Sequence, residues 1–405
     1  MLTVDAALAR IVARHAPLPA ETVSIADAAG RVLATTVVAR LDQPFADLSA
    51  MDGYAVRAGD CDPLPVTLKV VGQAPAGGAY AGVLGAGETV RIFTGGPLPA
   101  GADTIVIQEN TKVEAGGTVT IVEGVQRGRH IRRRGLDFAA GAIGLDAGRR
   151  LAPRHVALAA AMNVPWLSVH RRPRVAILAT GDELVMPGEP IGPNQILSSS
   201  ALAVAALVRA WGGDPTLLGI ARDTREDIGA CLDAGLSSEL LVTLGGASVG
   251  DHDLVQDVLK TQGFTLDFWR IAMRPGKPLM FAERGMQTAL GLPGNPVSTM
   301  VCALLFLKPA IERLSGLPGD PVATRRAILG SDVAGNDNRQ DYVRSRLQRN
   351  GGEPPTVTPF SVQDSSMLSF LASADGLLVR PAHDPARQAG AAVDVIDFAD
   401  FGSAF

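Results

Sequence analysis

The stretch that most constrains the fold runs Glu239-Leu-Leu-Val-Thr-Leu-Gly-Gly-Ala-Ser-Val-Gly-Asp-His-Asp253. Its apolar run, Leu240 to Leu244, reads as a buried strand that stops at Gly245-Gly246, passes Ser248 and Gly250, and meets acidic residues around His252. A helix over Leu254 to Thr261 follows. Glycines at such a junction let the backbone approach a ligand, and the free N–H groups of the next helix attract an anion. A Gly-Gly turn alone is weak evidence, because many such turns only connect elements.

Four more apolar runs end in polar loops. Arg174 to Thr180 leads into Gly181-Asp182-Glu183, and Thr216 to Ile220 leads into Ala221-Arg222-Asp223. Leu266 to Met273, with Arg270 inside it, leads into Arg274-Pro275-Gly276-Lys277-Pro278. Thr288 to Leu292 leads into Pro293-Gly294-Asn295-Pro296-Val297-Ser298, before the apolar helix Thr299 to Leu314. Helical patterns over Ser200–Trp211 and Thr224–Ala234 lie between them. Strands alternating with helices predict a parallel sheet covered on both faces, and ligands of such sheets bind outside the strands' carboxyl ends. All five polar loops fall on that edge, so the site belongs there.

The rest of the chain frames this α/β core. Val4, Ala7, Leu8, Ile11 and Val12 follow a helical stripe with Thr3 as N-cap, which predicts a packing or dimerisation helix. From Pro65 to Leu145 short β runs alternate with glycine, with a hairpin turn at Gly116-Gly117. Asp52-Gly53 reads as a turn into a strand. The basic run Arg127 to Arg134 is either a solvated surface or a local anion patch; without aromatics it is no nucleic-acid platform. Beyond about Gly319 short β runs return, predicting a small barrel or sandwich.

A net charge of −4 gives no general attraction to nucleic acid or anionic membrane, so anion binding must be local. Cys61, Cys231 and Cys302 are far apart and predict reduced thiols in a cytoplasmic protein. The six dispersed histidines argue against a His-based metal site. No apolar run reaches the ~18 residues of a membrane span.

Two kinds of group gather at the strand ends. Asp182, Glu183, Asp223, Asp251 and Asp253 are hard oxygen donors of the kind that hold Mg²⁺ with the help of substrate phosphates. Arg270, Arg274 and Lys277 carry positive charge, and Asn295 reads as an N-cap that exposes the N–H groups of Val297 and Ser298. Together they suit a ligand with several anionic groups bridged by a divalent metal; structural ion pairs around a sheet edge are the alternative.

The motifs Ser49-Ala-Met-Asp-Gly-Tyr-Ala55, Thr94-Gly95, Ile131-Arg-Arg-Arg-Gly135, Thr180-Gly-Asp-Glu183, Gly245-Gly-Ala-Ser-Val-Gly250, Arg274-Pro-Gly-Lys-Pro278 and Leu292-Pro-Gly-Asn-Pro296 resemble those of the molybdopterin molybdenumtransferases. These are the MoeA-type proteins, similar also to the E domain of gephyrin. The resemblance implies a multidomain α/β protein: a linking and dimerisation subdomain (1–41 and 134–171), an inserted β-rich subdomain (42–133), a parallel-sheet molybdopterin-binding domain (172–319) and a C-terminal β-barrel (320–405). It implies an elongated homodimer with shared active sites, and insertion of molybdate into adenylylated molybdopterin with Mg²⁺-dependent release of AMP. Contacts with the preceding molybdopterin adenylyltransferase and with recipient molybdoenzymes also follow from it.

Carried over by position, Asp52, Thr94, Glu183, Asp223, Asp253 and Lys277 are the expected catalytic residues. Asp182, Glu183, Asp223 and Asp253 are the expected metal ligands. Gly245, Gly246, Ser248, Gly250, Arg270, Arg274, Pro296, Ser298 and Ser365 are expected to bind substrate, with Arg270, Arg274 and Ser298 forming the molybdate pocket. The chain departs from the usual pattern at Leu244, Ser198-Ser199-Ser200, Leu136 and Asp364, and has arginine at 270 and 274 where some relatives have lysine. A non-catalytic molybdopterin-binding scaffold is the alternative function; a molybdopterin adenylyltransferase is less favoured, since those proteins resemble the α/β domain alone.

Overall fold

The computed structural model describes residues 1–245, 254–349, 351 and 354–405. The chain divides into two compact units, one of residues 1–21, 30–34 and 169–405, the other of residues 22–29 and 35–168.

The first unit is built on a six-stranded sheet in the order Asp214–Ala221, Arg174–Thr180, Leu240–Leu244, Gln287–Leu292, Met280–Arg284, Thr265–Phe268. The first four are parallel. Alternate side chains of the inner strands enter two cores: Val175, Ile177, Val242 and Leu244 on one face, Ala176, Leu178 and Leu241 on the other. This is why these strands read as continuous apolar runs. The helices Ser199–Ala210 and Pro296–Cys302 cover the first face, and Arg225–Ala234 and Leu254–Thr261 the second.

The run Leu266 to Met273, expected as one strand, is two. Thr265–Phe268 is the edge strand, and Met273-Arg274 instead pairs with Gln340-Asp341 of the barrel. The chain turns between them, where the Arg270 guanidinium stacks 3.7 Å from the Trp269 ring centre. The sequence reading also missed Met280–Arg284, which runs antiparallel to Gln287–Leu292 across a two-residue turn at Gly285-Met286, with Gly285 at φ 56°. The Arg274–Pro278 loop therefore reaches the carboxyl edge by leading into an antiparallel strand.

The helix Val4–Arg14 is capped by Thr3, whose hydroxyl accepts the Ala6 N–H at 3.2 Å. Its stripe of Val4, Ala7, Leu8 and Ile11 is buried in the core beneath the central sheet, where Leu8 and Ile11 each contribute about 1.5–3 kcal/mol. The helix falls in the same compact unit as residues 169–405.

The barrel closes because Gln340–Gln348 pairs with both Thr356–Pro359 and Gly376–Arg380, while Arg325–Leu329 and Ala392–Asp397 complete the ring. Leu329, Leu347, Val357, Leu378 and Val395 fill it.

The second unit holds a six-stranded sheet ordered Thr104–Ile107, Gly53–Val56, Glu88–Ile92, Val66–Ala74, Thr118–Ile121, Thr111–Glu114. Gly116 and Gly117, at φ 84° and 79°, make the expected hairpin turn. The basic run is largely spent within this unit: Arg127 pairs with Asp103, Arg133 with Asp47 and Arg134 with Asp42. These three arginines are exposed, as the solvated-surface reading has it, and each is also paired with an aspartate.

Candidate functional site

A cleft of about 1160 Å³ opens at the carboxyl edge of the central sheet, inside the first unit. Strand-end loops wall it on one side and the barrel loop 363–366 on the other. Thr180, Gly181, Glu183, Asp223, Gly245, Arg274, Lys277, Pro296, Ser298 and Ser365 all line it, so loops far apart in sequence converge.

One corner is acidic. Gly181 takes φ 146°, and a Cβ there would lie 2.5 Å from a Glu183 carboxylate oxygen, so the glycine lets that side chain fold back. Asp182 accepts the Asp223 N–H at 3.1 Å. Burial, then the neighbouring Asp182 and Glu183 carboxylates, raise the Asp223 pKa above its ordinary value. Among the described residues no three His, Cys, Asp or Glu side chains converge to hold a metal.

Beside this corner Gly245 takes φ 91° and packs against Thr180, whose carbonyl oxygen would lie 2.9 Å from any Cβ. Its N–H donates to the Leu292 carbonyl at 3.2 Å, drawing two strand-end loops together. Gly246, Ser248, Gly250, Asp251, His252 and Asp253 lie outside the described residues.

The third corner is the start of the helix at Pro296, with Asn295 as N-cap. Sequence reasoning left the Val297 N–H free for an anion, but it donates to the Ser365 carbonyl at 3.1 Å. The Asn295 amide donates to the Ser365 hydroxyl at 2.8 Å, so the barrel loop is stitched to the helix start. Ser298 lies just inside, buried. Arg344, an inward arginine of the barrel that sequence reasoning missed, holds the loop from behind. Only 1% exposed, it donates to the carbonyls of Asp364 and Met367, each at 2.9 Å. The Asp364 carboxylate accepts the Ser366 N–H at 2.8 Å and hydroxyl at 2.7 Å, and these bonds hold its pKa below the usual carboxylate range.

The expected molybdate trio does not converge. Arg274 and Ser298 line the cleft, whereas Arg270 stacks on Trp269 and is not among the lining residues. The Arg274 guanidinium is forked onto Asp341 at 3.0 and 2.5 Å. Lys277 lines the cleft and, among the described residues, its amine makes no ion pair.

Asp52 and Thr94 stand in the second unit. Asp52 accepts the Thr94 N–H at 2.7 Å and its hydroxyl at 2.8 Å, which hold its pKa below the ordinary value; the Arg91 charge adds to this. Gly53 must be glycine, since a Cβ would fall 2.0 Å from the Val106 carbonyl oxygen. Arg91, also missed, packs its guanidinium against the rings of Tyr54 and Phe93, at 5.0 and 5.1 Å.

Residues 2–163 match the family described as MoeA N-terminal region (domain I and II). Residues 176–313 match a probable molybdopterin binding domain, and 326–398 the MoeA C-terminal region (domain IV). A molybdopterin molybdenumtransferase of Nostoc sp. is 40% identical over 71% of this chain and 68% of its own length. Molybdopterin molybdenumtransferase 2 of Mycobacterium tuberculosis is 36% identical over 89% of this chain and 90% of its own, and the Bacillus subtilis protein 31% identical over 98% and 94%. The crystal structure of a molybdopterin biosynthesis MoeA protein from Pyrococcus horikosii superposes with a TM-score of 0.85 at 29% identity, covering 98% of this chain and 99% of that one. Likeness of this extent, in all three matched regions and in the fold, has one reading: the chain belongs to the MoeA family of molybdopterin molybdenumtransferases.

Proposed function

We propose that this molybdopterin molybdenumtransferase takes adenylylated molybdopterin and molybdate, and releases AMP in a Mg²⁺-dependent step to give molybdenum cofactor. The observation that carries this reading is one cleft with chemically opposite ends: Glu183 and Asp223 at one, and Lys277, Ser298 and Ser365 at the other. A substrate with several anionic groups spans such a cleft only if a cation screens the acidic end.

The acidic end offers hard oxygen donors of the kind Mg²⁺ takes, and since no three of the described ones converge, the ion would bind together with the substrate's phosphates. Burial and then the carboxylates of Asp182 and Glu183 raise the pKa of Asp223, and a divalent cation would relieve the repulsive part. Asp182, Glu183, Asp223 and Asp253 would hold it, with substrate phosphate oxygens and water completing the shell, as Mg²⁺ prefers. When bound, the ion supplies neutralisation of the charge that builds on the phosphoanhydride as AMP leaves. The chain does the rest: the loop from Gly245 through Gly246, Ser248 and Gly250 receives the pterin phosphate, and Pro296 fixes the helix start behind Ser298. Lys277 holds the oxyanion, and Ser365 and Ser298 orient it through their hydroxyls. Asp52 and Thr94 complete the site of a partner copy in a homodimer, and the free thiols of Cys61, Cys231 and Cys302 suit a cytoplasmic setting.

Purified protein incubated with adenylylated molybdopterin, Mg²⁺ and molybdate should release AMP and form cofactor that reconstitutes a molybdoenzyme lacking it. Tight binding of adenylylated molybdopterin with no AMP released would favour the non-catalytic scaffold instead.

A further inference from the structure

Arg274 stands where an oxyanion-binding cation was expected, yet its guanidinium is committed elsewhere. Nε and Nη2 donate to the two carboxylate oxygens of Asp341 at 3.0 and 2.5 Å, and Nη1 lies 3.8 Å from Asp337. Asp341 is only 5% exposed, so its charge is compensated by this fork rather than by water. Asp337 is held in turn by Arg339, whose Nη2 donates to it at 2.6 Å. Two guanidinium groups and two carboxylates thus neutralise one another at the cleft rim. The backbone makes the same connection: Met273-Arg274 pairs in parallel with Gln340-Asp341, and the Gln340 N–H donates to the Ala272 carbonyl at 2.9 Å. The Pro275–Pro278 loop, carrying Lys277, begins at this junction.

We infer that Arg274 is a positioning residue: its fork onto Asp341 straps the Pro275–Pro278 loop to the barrel and sets where Lys277 stands, rather than gripping the oxyanion. The inference rests on the molybdate-using reaction proposed above. The chemistry requires arginine, since only a planar guanidinium meets both oxygens of one carboxylate at once; a lysine at 274 keeps the charge and loses the strap. The Asp337–Arg339 pair flanks the fork and keeps the second carboxylate from drawing Arg274 off Asp341.

The test compares Arg274→Lys, Asp341→Asn and the double variant, reading the molybdate KM and kcat beside amide hydrogen exchange at Ile271 and Gln340, the N–H groups that tie this loop and its junction with the barrel. A strap predicts that each single variant raises the molybdate KM by a similar factor, roughly tenfold for loss of a charge-assisted fork, and that the double variant is no worse than either. Exchange should quicken in all three at Ile271, whose N–H donates to the Lys277 carbonyl at 3.1 Å, and at Gln340, whose N–H donates to the Ala272 carbonyl at 2.9 Å. A direct oxyanion contact predicts the reverse pattern: Asp341→Asn frees the guanidinium and leaves the KM unchanged or lower. That outcome, or additive effects in the double variant, overturns the inference. Arg274 is half-exposed and lysine keeps a positive charge beside Asp341, so hydrogen exchange in Arg274→Lys judges the strap even if Asp341→Asn does not fold. Absence of molybdate-dependent turnover in the unaltered protein would refute the proposed function instead. The exchange readout still judges the strap in that case, and unchanged exchange in the variants sinks it.

Discussion

Asp223 is pulled in two directions. Burial and the carboxylates of Asp182 and Glu183 raise its pKa, so the folded chain binds that proton more tightly than the unfolded chain does. Ionising it therefore costs stability as pH rises from the unfolded value through the raised one. Asp223→Asn should raise Tm at pH 7 in the ligand-free protein, an advantage that disappears below the ordinary carboxylate range. The proposed Mg²⁺-binding role needs the ionised form, so on that proposal the same variant should lose nearly all AMP release. Glu183→Gln removes one source of the repulsion and should move the Asp223 titration, followed by carboxyl NMR, toward lower pH; an unmoved titration would mean that burial and Asp182 set it. A site that stabilises the fold when neutralised and fails when neutralised is one whose strain serves the ligand.

At the scale of elements, the barrel loop behaves as part of the α/β edge. Ser365 closes the helix start at Val297, and Arg344 holds the loop from within the barrel. Arg344→Lys retains a charge but cannot reach two carbonyls from one planar group, leaving at least one of them unpaired at a cost of about 1–3 kcal/mol. The variant should melt earlier and show a raised molybdate KM, whereas a lower Tm with unchanged kinetics would make Arg344 structural only. The sequence announced the strands that are buried on both faces, because Val175–Ala179 and Leu240–Leu244 are apolar runs stopped by glycine. It announced the barrel for the same reason, through short β runs cut by Gly and Pro. It did not announce Met280–Arg284, whose antiparallel place depends on the turn at Gly285 and on pairing with a neighbour. The cleft-edge residues Glu183, Asp223 and Lys277 were legible because they follow strands. Arg344, Asp341 and the partners of Ser365 were not, since each acts through a contact 19 to 70 residues away that leaves no local periodicity.

At the scale of the whole molecule, the catalytic residues expected in the two units make the proposed homodimer testable. Asp52→Ala and Glu183→Ala chains, each inactive alone, should regain part of the activity when mixed and allowed to exchange subunits. No recovery, in a mixture shown to contain heterodimers, would remove the shared site. A different consequence follows from the first helix. Val4, Ala7, Leu8 and Ile11 belong to a core completed by Val301–Leu307 and Ile311, while Arg313 donates to the His15 carbonyl and Leu18 to that of Leu314. The ribosome therefore makes this greasy helix first and its berth about 300 residues later, which at about 5–20 residues per second is a wait of roughly 15–60 s. For that interval the nascent chain shows an unclaimed apolar stripe, an early address for a holding chaperone.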